Sequence, residues 1–186
     1  MAKYFYFTRH GQTVWNVENK ICGATDIALT DLGHQQAAEL GERILKEGIK
    51  IDEILYSPLM RAADTAKHIS EVTGIPAREE LRLKEQNFGK YESTPRNGEE
   101  FKRAKQDFVC RYEGGESMLQ LCQRICNLLD DIKKDVSVTT YTDTSTSNSK
   151  WLVMNCTVHI QIYLSSIKFP GGKVIGRDAD LPSVNS

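Results

Sequence analysis

The sequence has no excess of charge of either sign. Its 186 residues include 24 Lys and Arg against 25 Asp and Glu, which gives a net charge of −1 and an isoelectric point near 6.4. Chains that bind nucleic acid or an anionic membrane surface ordinarily carry a basic surplus. We therefore expect neither as a partner, and any positive charge that serves function has to be local.

Long apolar runs are also missing. The sequence has no run of about 18 apolar residues, the length that a helix needs to span a bilayer. The start of the chain, Met1 to Tyr4, lacks the apolar stretch and cleavage site of a secretory signal. These absences predict a cytoplasmic protein without a membrane partner.

The cysteines are few, scattered and odd in number, namely Cys22, Cys110, Cys122, Cys126 and Cys156. The pair at 122 and 126 lies four residues apart on an amphipathic pattern, which is neither a C-x-x-C redox motif nor half of a zinc site. We expect buried thiols rather than a disulfide framework or a metal centre.

Short β-branched or aromatic runs alternate with amphipathic segments over the first 135 residues. Such alternation is typical of an α/β domain with a largely parallel sheet. The predicted elements are strands over 3–8 and 52–56, a helix from Thr30 as N-cap to Gly48, a helix with Ser57 as N-cap and Pro58 at its first position ending at Gly74, and a helix from Ser117 to Ile132.

The composition changes near Val136. Only 7 of the last 51 residues are charged, and 9 of the 13 residues from Ser137 to Ser149 are Ser or Thr. One strand is predicted over 151–158, reaching at most Leu164, and the end from Pro170 has little to bury, as is typical of disorder. We treat 1–186 as one domain whose tail, 136–186, is either divergent or the translation of a shifted reading frame.

Two arginines and a histidine follow predicted strands. His10, next to Arg9, stands where the first strand opens into a glycine turn, and Arg61 lies just past the second strand. Parallel strands end at one edge of a sheet, where ligands bind, and two guanidinium groups there match the oxygens of a phosphate. Taken singly, each residue is more typical of a surface position.

These residues belong to a larger ordered set of motifs that resembles the histidine phosphatase superfamily, which includes the phosphoglycerate mutases. The signature is met by Arg9-His10-Gly11-Gln12-Thr13 with Asn16. Further matching blocks are Cys22-Gly23, 29–33, 57–62, 83–92 and 115–117, so that the resemblance spans about residues 3–135. It implies the three-layer α/β/α fold of phosphoglycerate mutases, with an atypical C-terminal part.

The resemblance also implies roles at a phosphate pocket. His10 would attack phosphorus and carry a phosphohistidine, and Glu85 would protonate the leaving group. The residues that would bind the substrate are Arg9, Asn16, Cys22, Gly23 and Arg61. This chemistry needs no metal or cofactor. The alternative for Glu85 is a solvated glutamate in a charged segment.

Other candidates are weaker. The family's second pocket histidine can be only His159, but the following Ile160-Gln161-Ile162 lacks the expected glycine turn, so the alternative is a strand residue and no second pocket histidine. We expect surface positions for His34 and His68 and for Glu79, Glu80, Glu92, Glu99 and Glu100. A further set of cations could contact an anionic substrate or could equally belong to a solvated amphipathic helix, namely Lys90, Arg96, Lys102, Arg103 and Lys105.

The spacing of the motifs bears on the reaction. About thirty residues separate Glu85 from Glu116, too few for the long insertion that closes over the substrate in phosphoglycerate mutases. A short pocket admits water, which favours a phosphatase that acts on small phosphomonoesters. The alternatives are a phosphoglycerate mutase-type phosphotransferase and a catalytically impaired protein that binds phosphoesters without turnover.

Overall fold

The computed structural model describes residues 4–138, 150–155 and 173–174, with the side chains of residues 6–132. Its strands are β1 (Tyr4–Arg9), β2 (Glu53–Tyr56), β3 (Ala77–Glu79), β4 (Lys150–Asn155) and β5 (Lys173–Val174). Its helices are α1 (Val14–Val17), α2 (Asp31–Lys46), α3 (Met60–Thr73), α4 (Glu99–Ala104) and α5 (Met118–Val138), with short 3-10 turns at Leu81–Leu83 and Gly89–Tyr91.

The five strands form one parallel sheet in the order β3-β2-β4-β1-β5. Arg9 at the end of β1 pairs in register with Asn155 at the end of β4. Because the strands are parallel, their carboxyl ends share one edge, which is the edge where open α/β sheets bind ligands. The predicted α/β class is confirmed.

Helices cover both faces of this sheet. Along β1 and β2, Tyr6 and Ile54 pack toward α2 and α3, whereas their neighbours Phe7 and Leu55 pack toward α5. This alternation follows from the two-residue period of a strand. The result is a three-layer α/β/α arrangement with a separate apolar core on each side.

One helix start differs from the prediction. Helix α2 begins as expected after Thr30, whose hydroxyl accepts the Gly33 N–H at 3.1 Å. Helix α3, however, begins at Met60 and has Leu59 as its N-cap, so Ser57 does not cap it. The Met60 N–H is bound instead by the Asp26 carboxylate at 2.8 Å. Asp26, which lies 34 residues before Met60, thus binds the first N–H of the helix in place of the local cap that we predicted at Ser57.

The tail provides strands of the sheet. β4 is the predicted late strand, and it lies in the middle of the sheet between β2 and β1, whereas the two-residue strand β5 was not predicted. The predicted continuation over 156–164, which holds Cys156 and His159, lies outside the described residues, as does most of the segment from Pro170. No helix in the described part of the chain is long and apolar enough to cross a membrane.

Candidate active site

His10 is the first residue after β1, and its ring is partly buried. Its Nδ1 lies 2.6 Å from the Gly11 carbonyl oxygen. Because a carbonyl only accepts hydrogen bonds, Nδ1 carries the proton and Nε2 keeps its lone pair. Burial, then the charges of Arg61 and Arg9, hold the pKa of His10 well below its usual value, against the opposing effect of the Gly11 hydrogen bond. The ring is therefore neutral at pH 7, with Nε2 as the nucleophilic nitrogen.

The turn after His10 is fixed by both helices of the adjacent layer. The Gly11 N–H donates to the Thr65 hydroxyl at 3.2 Å, and that hydroxyl donates to the Arg61 carbonyl at 2.7 Å. A Cβ atom on Gly11 would lie 2.2 Å from the Gly33 carbonyl oxygen, so no other residue fits there without displacement of the backbone. Contacts with α2 and α3 thus position the imidazole relative to Arg61.

Arg61 is fully buried in the first turn of α3. Its guanidinium donates to the carbonyl oxygens of Thr25 (2.9 Å) and Gly23 (2.7 Å). Within the described residues its buried Nε has no hydrogen-bond partner. An arginine has five N–H donors, and the two bonds to the loop leave others that can bind an anion. The backbone therefore holds a buried, oriented cation beside His10.

Two exposed arginines add positive charge around His10. Arg9 stands at the end of β1, and Arg96 lies in the loop before α4, where its Nε donates to the Lys20 carbonyl at 2.9 Å. Both charges contribute to the low pKa of His10. Arg96 is exposed, as a solvated cation would be, and its charge also acts on the candidate nucleophile.

The remaining candidate binding residues lie in helix α1 and in the loop after it. The Asn16 amide oxygen accepts the N–H and hydroxyl of Thr13 at 3.0 and 2.9 Å, so its NH2 group is the part that can donate to a ligand. Burial raises the pKa of the Cys22 thiol, which therefore stays protonated. Gly23 is required because a Cβ there would lie 2.2 Å from the Gln86 carbonyl oxygen.

Glu85 follows the 3-10 turn after β3 and is only 5% exposed. One of its oxygens accepts the N–H of Gln86 at 2.7 Å. Its charge helps to raise the pKa of Cys22, on which Arg61 acts in the opposite direction, so all three groups belong to one site. The alternative of a solvated glutamate is wrong, while the acid role of Glu85 stays a prediction.

Glu92 is not the surface charge that we expected. Its carboxylate accepts the backbone N–H groups of Gly23, Ala24 and Thr25 at 2.9–3.2 Å and that of Phe88 at 3.0 Å. The loop that it holds is the one whose carbonyl groups orient Arg61. Sequence reasoning missed this role because the partners in that loop are 67 to 69 residues away.

Glu80 is a second exception among the predicted surface acids. It is 8% exposed and pairs with Arg82, whose Nε lies 2.8 Å from its carboxylate. Glu79, Glu99 and Glu100 are exposed, as expected. Of the predicted catalytic residues, the structure brings together His10, Arg9, Arg61 and Glu85, whereas His159 lies outside the described residues.

Replacement of Glu92 by Gln should destabilise the loop at residues 23–25 without changing any side chain that we expect to react. An amide has one acceptor oxygen where the carboxylate has two, so two of the four backbone donors lose their acceptor and the other two keep only an uncharged one. We expect the free energy of unfolding to fall by about 2–4 kcal/mol, measured by urea denaturation. The control is Glu99→Gln, an exposed acid of α4, which should change it by less than about 1 kcal/mol. Equal effects of the two variants would contradict the anchoring role.

The low pKa of His10 predicts how activity depends on pH. A neutral ring is the reactive form, so the acidic limb of kcat/KM should lie well below the usual pKa of histidine, about 6.5. Arg9→Gln removes a charge that lowers this pKa, and the limb should therefore move to higher pH. The measurement is a pH–rate profile with a substrate whose own ionisation is titrated separately. A limb that stays in place in the variant would show that Arg9 does not act on His10.

Comparison with known proteins points in the same direction. The family model of the histidine phosphatase superfamily (branch 1) matches residues 5–141. Over 132 residues the chain is 36% identical to "Probable phosphoglycerate mutase GpmB" of Erwinia tasmaniensis, which aligns 67% of this chain with 60% of that relative. The chain thus spans well under two thirds of the length of this relative.

Two solved structures share the fold. "Mycobacterial hydrolase 1" is 26% identical with a TM-score of 0.71, covering 88% of this chain and 80% of that one. A mycobacterial glucosyl-3-phosphoglycerate phosphatase is 27% identical with a TM-score of 0.66, covering 80% of this chain and 72% of that one. The similarity extends over at least 80% of this chain in both cases.

Proposed function

The chain belongs to the histidine phosphatase superfamily (branch 1), and from this membership we propose that it hydrolyses small phosphomonoesters through a phosphohistidine on His10. The observation that carries the proposal is the pairing of a neutral imidazole, whose Nδ1 proton is held by Gly11, with a buried guanidinium, that of Arg61. A nucleophile and a fixed cation for the transferred group are the two parts that phosphoryl transfer requires.

In the first step, the lone pair of His10 Nε2 forms a bond to phosphorus while the bond from phosphorus to the ester oxygen breaks. The leaving alkoxide takes a proton from Glu85. Arg61, Arg9 and the Asn16 amide stabilise the three phosphoryl oxygens, where charge is spread in a loose transition state.

In the second step, water attacks the phosphohistidine and the bond from phosphorus to Nε2 breaks. The Glu85 carboxylate accepts a proton from that water, which restores both groups and releases inorganic phosphate. The neutral Cys22 thiol takes no part in proton transfer.

Hydrolysis is favoured over mutase activity by the segment between Glu85 and Glu116. It holds only a 3-10 turn, the six-residue helix α4 and loops, so it provides little to exclude water from the pocket. A phosphoglycerate mutase-type activity is the second candidate, because the Erwinia relative carries that name. We propose a small phosphorylated substrate in either case, and a cytoplasmic location stays a prediction from the sequence.

Incubation with 3-phosphoglycerate and with an aryl phosphate, followed by phosphorus NMR, separates the candidates. A phosphatase releases inorganic phosphate from one or both. A mutase interconverts phosphoglycerates and keeps the phosphorus in organic form. Neither product, together with tight binding of inorganic vanadate, would indicate a binding protein without turnover and would contradict the proposed hydrolase.

The acid role of Glu85 has its own test. Glu85→Gln removes the transferable proton, so we expect kcat for an alkyl phosphate to fall about 10²- to 10⁴-fold. An aryl phosphate has a leaving group that needs little protonation, and its first step should be nearly unaffected under single-turnover conditions. The matched control is Glu100→Gln, at an exposed position on α4. Equal losses with both substrates would show that Glu85 is not the acid.

A further inference from the structure

A pair of histidines lies outside the phosphate pocket, where the helices α2 and α3 pack together. His34 Nδ1 and His68 Nε2 are 2.9 Å apart, and the two rings meet edge to face with centroids 5.1 Å apart. Both side chains are partly buried, that of His68 to 33% exposure. Our expectation of two unconnected surface histidines is therefore wrong.

The surroundings of His68 orient its lone pair. The Glu71 carboxylate, one turn further along α3, lies 3.9 Å from His68 Nδ1. A nearby carboxylate favours the tautomer with its proton on Nδ1, so Nε2 presents its lone pair toward His34. Histidines that bind metals ordinarily donate one ring N–H to a carboxylate and bind the metal through the other nitrogen, and the Glu71 carboxylate lies on the corresponding side of His68, beyond direct hydrogen-bond distance.

We propose that His34 Nδ1 and His68 Nε2 form a site for a divalent transition-metal ion of the Cu²⁺ or Ni²⁺ class. Imidazole suits these ions, which prefer square-planar or tetragonal coordination. With metal–nitrogen distances of about 2.0–2.1 Å, two ligands at a right angle are about 2.9 Å apart, as the two nitrogens are here. A tetrahedral Zn²⁺ site would need them about 3.4 Å apart.

Binding requires a change of tautomer at one ring. In the metal-free protein one of the two facing nitrogens carries the proton that the other accepts, and that ring must instead carry its proton on its other nitrogen, so that both facing nitrogens offer lone pairs. This change moves a proton from one nitrogen of a ring to the other and releases none. No group of three or more His, Cys, Asp or Glu that could hold a metal ion occurs in the part of the chain that the structure describes. Solvent therefore completes the coordination on the exposed side.

The ion would clamp together the two helices that hold the turn after His10. His34 directly follows Gly33, whose backbone is in close contact with Gly11. His68 lies one turn after Thr65, whose hydroxyl binds the Gly11 N–H. Because the unfolded chain does not hold the two rings together, the ion binds the folded chain preferentially and stabilises it.

The test uses Ni²⁺ and the untagged full-length protein, with isothermal titration calorimetry and thermal unfolding. We expect one Ni²⁺ per chain and an unfolding midpoint that rises with Ni²⁺ concentration. His34→Gln and His68→Gln should each weaken binding at least tenfold and abolish the rise, while Glu71→Gln should weaken it less. His10→Asn and His159→Gln are the matched controls and should leave the affinity unchanged.

Two further measurements keep the outcome clear. Unfolding of each variant without metal shows whether it is folded, and the Cu²⁺ electron paramagnetic resonance spectrum should report two nitrogen ligands that are lost in the His34→Gln/His68→Gln double variant. An undiminished affinity in a folded double variant, or binding that disappears in His10→Asn, would overturn the proposal.

Discussion

Replacement of His10 by Ala is expected to reduce phosphate release from an aryl phosphate to the level of the buffer, a loss of about 10⁴-fold or more. The substitution removes the group that we propose as the nucleophile, and the remaining cations stabilise no displacement that lacks a nucleophile. Initial rates of the wild type and the variant measure the effect. Rapid acid quenching should show acid-labile phosphate on the wild-type chain alone.

The control for this variant is Lys67→Ala, at a solvent-exposed position on α3 far along the helix from Arg61. It should retain the full rate. The His10→Ala variant should also remain folded, because the imidazole contributes only its bond to the Gly11 carbonyl, whereas the Gly11 N–H still bonds to Thr65 and the Gly11 backbone still packs against Gly33. Substantial turnover by a folded His10→Ala variant would place the chemistry elsewhere and refute the proposed mechanism.

Arg61→Gln is expected to damage both catalysis and stability. A neutral, shorter side chain removes the buried charge from the phosphoryl oxygens, and we expect kcat/KM to fall about 10³-fold. The carbonyl groups of Gly23 and Thr25 lose their charged donors in the interior, so the free energy of unfolding should fall by about 2–4 kcal/mol. The pKa of His10 should rise toward its usual value because a charge that lowers it is gone.

Two companion variants separate the causes. Arg61→Lys keeps the charge but replaces a planar fork with a single ammonium group, so it should recover part of the activity and little of the stability. Arg78→Gln breaks an exposed ion pair with Glu53 at the sheet edge, and it should cost less than about 1 kcal/mol and no activity. A stable, active Arg61→Gln protein would exclude this guanidinium from the site.

Much of the fold could be predicted because its signals are local. The cap at Thr30, the left-handed Gly74 at the end of α3 and the apolar stripe of α5 depend on residues within a few positions of one another. The start of α3 could not be predicted in the same way. Its first N–H is bound by Asp26, which the chain brings there only after folding.

The residues of the candidate site also fall into those that local sequence predicted and those that only contacts between distant segments revealed. His10 and Arg61 were predicted because each follows a strand within a motif. Thr65 and Glu92 were missed because each bonds to a segment more than 50 residues away. The sequence around each residue gives no indication of that partner. We predicted surface positions for Glu80 and Glu92 because charged residues are usually solvated. These predictions were wrong, because both carboxylates accept backbone N–H groups, which only the fold shows.

The amino-acid sequence alone determined which chemistry is available, a histidine between two arginines at the ends of parallel strands, because side-chain type and strand period are properties of short segments. Tertiary structure decided the rest: the low pKa of His10, the burial of Arg61, the anchoring by Glu92 and the meeting of His34 with His68. Each of these depends on distances between segments far apart in the chain, which packing of the three layers sets and no local pattern encodes.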